Sequence, residues 1–147
     1  MTTVISINDV KKETAEFFRM HWNLNIPIPA WNDKYSFQGA VPDGDKQGCY
    51  ALLINDEVVY IGLGASKGSG IYKEHGIGAR LINHVIVWNR SIPAPISERK
   101  FKLKDKWHDI TDIYTIGFPS GSGYLACALE SFLLSRLNPV RNIVGRI

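Results

Sequence analysis

Residues 48–62 read GCYALLINDEVVYIG, and the rest of the chain is organised around them. Two β-branched and apolar runs, 49–54 and 58–61, flank the turn residues Asn55, Asp56 and Glu57, the pattern of a β-hairpin. Tyr50 and Tyr60 lie near the outer ends of the strands, and Gly48 and Gly62 border the two halves. Side chains alternate between the faces of a strand, so the loop length decides whether the tyrosines meet. A two-residue loop pairs Ile54 with Glu57 and sends the phenols to opposite faces. A three-residue loop pairs Ile54 with Val58 and sets them on one face as diagonal neighbours. Asn and Asp tolerate the positive φ of a three-residue loop, which favours the second arrangement. Tyrosine suits strands for its own sake, so the pair takes on meaning only from what surrounds it.

The 147 residues suit one domain with enough apolar side chains for a real core. Lys and Arg number 17 against 14 Asp and Glu, a net charge of +3, which permits a nucleic-acid partner without demanding one. No apolar run approaches the roughly 20 residues of a membrane span, and the N-terminus lacks a signal-peptide pattern. A cytoplasmic protein with no membrane partner is expected. Cys49 and Cys127 each sit among apolar neighbours, which points to two buried reduced thiols rather than to a disulfide or a zinc site.

Ser6 with Asp9 three residues on is a capping signal, and Val10, Thr14, Phe17 and Phe18 then recur at helical spacing to about Trp22. Pro27 and Pro29 stop this helix, and an aromatic-rich loop through Trp31 and Tyr35 follows as far as Pro42-Asp43-Gly44. Residues 1–47 thus read as an N-terminal helical extension to a core over 48–147. The extension either covers one face of that core or contributes to a dimer interface or a ligand groove. Residues 63–76 are glycine-rich and carry Lys67 and Lys73, a flexible loop near a ligand. Gly68-Ser69-Gly70 lacks the Gly-Lys-Ser/Thr ending of a phosphate loop, so no nucleotide cofactor is expected.

A helix is predicted over 77–88, with Leu81, Val85 and Trp88 in one stripe and Arg80 and His84, one turn apart, beside it. In 99–107 lysines alternate with Phe101 and Leu103, either as an edge strand guarded by charge or as a stripe that meets phosphates. Residues 112–118 read as a third strand. The last helix opens at Gly121-Ser122-Gly123 and runs to about Leu137, where Asn138-Pro139 stops it. Leu125, Leu129, Phe132 and Leu133 form its packing face, while Glu130 falls on the border of the apolar arc, between Leu137 and Leu134. A carboxylate at a core edge is unfavourable unless it is paired or binds a cation. The fold class expected is α+β, a small three-stranded antiparallel sheet flanked by helices.

In their order and roles these motifs resemble the GIY-YIG nuclease superfamily. Gly48-Cys49-Tyr50 stands for the first motif, with cysteine at the usual isoleucine, and Tyr60-Ile61-Gly62 matches the second in full. Arg80 matches the arginine of the first core helix, and His84 the His or Tyr one turn later. Glu130 matches the metal-binding glutamate, and Pro139 and Asn142 match the proline and asparagine that follow it. The resemblance spans roughly 48–142. It departs in the nine residues between Tyr50 and Tyr60, slightly fewer than usual, which is why an odd hairpin loop matters. It departs again at Leu63, where many members carry lysine, with Lys67 or Lys73 as substitutes. The long stretch before Arg80 and the Arg80/His84 pair look more like the restriction-endonuclease branch.

The resemblance implies a GIY-YIG-like core and a metal-dependent DNA endonuclease of type II restriction type, working as a homodimer or higher homo-oligomer. On that reading Glu130 holds one Mg²⁺ (or Mn²⁺), which acts as Lewis acid towards the scissile phosphate. Arg80 binds the non-bridging oxygens. Tyr50 is the general base for the water, once a cation or Arg80 favours its phenolate, and Tyr60 and His84 orient or relay protons. Asn142 braces the site, and Gly48 and Gly62 let the backbone approach the substrate. The alternatives are a nuclease toxin or repair nickase with the same chemistry, and an inert nucleic-acid-binding module that keeps the fold.

Overall fold

The computed structural model describes residues 4–65 and 76–142. Among them are three α-helices and five strands: α1 (Ile7–His21), β1 (Gly48–Ile54), β2 (Glu57–Gly64), α2 (Gly76–His84), β3 (Ile86–Trp88), β4 (Phe101–Leu103), β5 (Asp112–Gly117) and α3 (Tyr124–Leu137). The fold is α+β. β2, β1 and β5 form an antiparallel sheet in that order, and β3 with β4 a separate antiparallel ribbon. Residues 66–75, with Lys67, Lys73 and Gly68-Ser69-Gly70, lie outside the described residues.

The hairpin corrects the expected loop and keeps its consequence. Ile54 pairs with Glu57, so the loop is the two residues Asn55-Asp56, with φ of 45° and 72°. Two successive positive φ angles make the twist-matched turn that joins adjacent antiparallel strands, and Asn and Asp bear them at little strain. The extra residue enters the strand instead. Leu53 pairs with Val58 but Leu52 pairs with Tyr60, leaving Val59 as a β-bulge. The bulge reverses the alternation, and Tyr60 turns to the face that already carries Tyr50.

Both outer edges of the sheet are covered. Along β5, Asn32 and Tyr35 donate backbone N–H groups to the Thr115 and Ile113 carbonyls, so the aromatic loop of the N-terminal segment runs as an edge cover. Along β2, the turn after α3 does the same work. Arg141 N–H bonds the Val59 carbonyl at 2.9 Å, and the Asn142 side chain bonds both the N–H and the C=O of Ile61 at 2.8 Å.

The sheet separates two apolar clusters. On one face Cys49, Ala51, Leu53, Val58, Ile61 and Ile116 meet α1 and α3 through Val10, Phe17, Phe18, Leu129 and Leu133. The expected capping box is present at Ser6 and Asp9, and the buried residues of α1 are Val10, Thr14, Phe17 and Phe18. On the other face Tyr50, Leu52, Val59 and Ile113 meet Ile77 and Leu81 of α2, Ile86, Phe101 and Trp107, with Tyr35 and Val41 closing the side.

Two further expectations give way. The predicted helix over 77–88 ends at His84, and Trp88 lies in β3. The run Val85-Ile86-Val87 favours extended backbone, and pairing with β4 (Ile86 to Leu103, Trp88 to Phe101) outweighs helical continuation. Cys49 is a buried free thiol as expected, but Cys127 is free and exposed. It projects about 160° around α3 from Leu129, away from the apolar arc. Among the described residues no helix is long and apolar enough to cross a membrane.

Candidate active site

Tyr50 sits in the middle strand with Gly62 opposite it on one side and Thr115 on the other. Its side chain is 2% exposed. A Cβ on Gly62 would overlap the Tyr50 phenol, and one on Gly48 would run into the Ile116 carbonyl. The two glycines therefore make room for the protein's own packing, where a close approach of substrate was expected. The bulge brings half-buried Tyr60 beside Tyr50, with ring centroids 6.2 Å apart. Trp107 closes the far side of Tyr60 at 5.1 Å.

α2 supplies the next two side chains. Arg80 and His84 are both exposed and joined, Arg80 Nη1 to His84 Nε2 at 3.0 Å. A guanidinium has only donors, so His84 Nε2 accepts and the imidazole is neutral with its proton on Nδ1. Partial desolvation, with the charges of Arg80, Lys104 and Lys106, holds the His84 pKa below its usual 6.5. The Arg80 charge also acts on the Tyr50 phenol. Burial raises the Tyr50 pKa above the ordinary value of 10, the neighbouring Tyr60 adds to the rise, and Arg80 only partly offsets both. Tyr50 here is a neutral phenol.

Glu130 comes from the opposite layer. It is half-buried on α3 between buried Ala126 and Leu134, at the border of the apolar arc. The Cys49 thiol ties this turn of α3 to the first strand, its Sγ donating to the Ala126 carbonyl at 3.3 Å. Burial first, then the Glu130 charge, pushes this thiol well above the usual cysteine range. The same carboxylate raises the Tyr50 phenol, so its charge reaches the tyrosine face from across the sheet. Asn142, 9% exposed, brackets Ile61, the residue between Tyr60 and Gly62, and so fixes the second motif from outside.

Of the six side chains singled out in the sequence, Arg80 and His84 are hydrogen-bonded, Tyr50 lies within reach of the Arg80 charge, and Tyr60 packs against Tyr50. Asn142 is joined through backbone and Glu130 through its field. Trp107 is the wall that sequence reasoning missed. Arg141 lies over its ring at 5.6 Å and is ion-paired with Asp109. The one signal was an aromatic at the end of the lysine run.

The oxygen donors suit a hard cation shared with substrate. Among the described residues no group of three or more His, Cys, Asp or Glu converges. Glu130 by itself offers one carboxylate, which fits a Mg²⁺ or Mn²⁺ that keeps most of its waters and takes phosphate oxygens as further ligands. Set against known proteins, the chain matches no family model, no curated protein and no solved structure.

Proposed function

We propose that this protein is a metal-dependent DNA endonuclease of GIY-YIG type, hydrolysing phosphodiester bonds in the manner of a restriction enzyme. The observation that carries the reading is the hydrogen-bonded pair Arg80–His84 beside the packed rings of Tyr50 and Tyr60, set within the field of Glu130. Three side-chain types that phosphoryl chemistry uses, a guanidinium, a neutral imidazole and phenols, meet on one face of a rigid sheet.

Arg80, exposed and already oriented, is placed to donate parallel hydrogen bonds to non-bridging phosphate oxygens as their charge grows. His84 then regains the Nε2 lone pair that Arg80 occupies in the free protein, and this pair orients or deprotonates the attacking water. Tyr50 lies beside Arg80 as a neutral phenol, and serves as base only when added positive charge brings its pKa down. Tyr60, clamped between Tyr50 and Trp107, fixes the opposite wall. A divalent cation held by Glu130 would supply Lewis-acid stabilisation of the phosphate and of the leaving oxygen. One such site cuts one strand, so double-strand cleavage takes two protomers or successive nicks.

The burial of Tyr50 favours a second reading, an inert nucleic-acid-binding module, because a neutral buried phenol is a poor base. Supercoiled plasmid with Mg²⁺, beside Glu130→Ala and a chelator control, separates the two. Cutting by the wild type alone supports the nuclease. DNA retarded in a gel and cut by no sample selects the binding module.

A further inference from the structure

The lysine run at 99–107 becomes one wall of a cleft. Lys102 of β4, Lys104 just after it, Asn83 at the end of α2, and Val87, Asn89 and Arg90 line a depression of about 600 Å³. It begins beside the candidate site: Lys104 Nζ bonds the Asn83 carbonyl at 2.6 Å, and the charges of Lys104 and Lys106 act on His84. Lys100 and Lys102 are exposed on either side of buried Phe101, at the two-residue spacing of one strand face, roughly 6.6–6.8 Å.

Edge protection does not account for Lys100. β4 pairs with β3 along one side, and at its start an isolated bridge joins Lys100 to Gln38, where Phe101 N–H bonds the Phe37 carbonyl and Gly39 N–H bonds the Arg99 carbonyl. Where that bridge lies, the strand has neighbours on both sides and no edge to guard. Bases are not the natural guests either. Among the described residues lining the cleft Trp88 is the one aromatic side chain, and the Arg99 guanidinium covers its ring at 4.2 Å. Proteins that hold single strands present open aromatic faces for stacking.

We propose that this cleft carries the phosphate backbone of double-stranded DNA away from the Arg80–His84 end of the site. Lys102 and Arg90, which line it, and exposed Lys100, next along the same strand face, serve as phosphate contacts that position the duplex without reading its sequence. The assignment rests on the endonuclease reading for its direction, and its test does not depend on cutting.

Duplex binding is measured by fluorescence anisotropy in chelator, between about 50 and 200 mM salt. Wild type is compared with Lys100→Gln/Lys102→Gln and with Lys11→Gln/Lys12→Gln, the latter pair exposed on α1 behind the sheet. The ribbon variant is expected to lower the log–log salt slope by about 1 per lysine and to weaken every duplex alike. The α1 variant is expected to keep the wild-type slope. An unchanged slope in the ribbon variant, tighter binding of single strands or RNA than of duplex, or no binding by the wild type overturns the assignment. Plasmid cutting with an unchanged slope removes the cleft and leaves the nuclease standing. A lowered slope without cutting does the reverse.

Discussion

The two faces of the central sheet are built to different ends. The face under α1 and α3 is apolar apart from Thr14 and, at its border, Glu130, with Phe17 edge-on to both Phe18 and Phe132 at 5.5 Å. The face towards α2 buries a comparable set of side chains, yet it admits Tyr50 and Tyr60 and is rimmed by Arg80, His84, Lys104 and Lys106. The first face holds the molecule together, and the second aims polar groups at a common point. One inserted residue, Val59, decides which face Tyr60 belongs to, and the tail at Arg141 and Asn142 pins that insertion.

If the faces divide labour in this way, lesions on them separate activity from stability. Arg80→Ala gives the largest effect on rate. Loss of one preorganised donor to a phosphate is expected to slow nicking by about 10²–10³-fold. Arg80 is exposed, so the melting temperature moves little. A fall in both together would make Arg80 structural.

Asn142→Asp comes next. The carboxylate still accepts from Ile61 N–H but opposes the Ile61 carbonyl, leaving a buried group unpaired, at a cost of about 1–3 kcal/mol. Amide exchange should rise first along 58–62 and spare α1, and nicking should fall because Tyr60 loosens. Exchange that rises uniformly would deny the tail its special role.

The smallest effect is a shift in pH profile. Desolvation and the charges of Arg80, Lys104 and Lys106 keep His84 neutral below its usual 6.5. As pH falls, activity therefore persists past 6.5 and is lost only when the imidazole protonates. Lys104→Gln removes one of those charges, raises the His84 pKa and moves the acid limb of kcat/KM to higher pH. An unmoved limb would take His84 out of the proton chemistry.

Local features were legible in the sequence, and long-range ones were not. The Ser6/Asp9 capping box, the apolar stripe of α1, the strand over 112–118 and the marginal position of Glu130 all follow from residues within a turn or two of each other. The loop length was misjudged because Asn55-Asp56 suits positive φ in either arrangement, and only the pairing of Leu53 with Val58 reveals the bulge. The clamp of Asn142 on Ile61 joins residues 81 apart, so no local pattern announces it. Trp107 reaches Tyr60 through the fold in the same way. The helix predicted over 77–88 failed at Val85 for a related reason, since its partner strand lies at 101–103.

Leu129 and Glu130 are neighbours on α3, one fully buried in the apolar face and the other half-buried at its border. Measuring plasmid nicking and thermal melting side by side for Leu129→Ala and Glu130→Gln tests the division of labour most directly. Leu129→Ala is expected to lose about 2–5 kcal/mol of stability while still nicking in Mg²⁺ at a temperature where it is folded. Glu130→Gln is expected to melt like the wild type and to nick nothing. Nicking by Glu130→Gln at the wild-type rate would contradict the account.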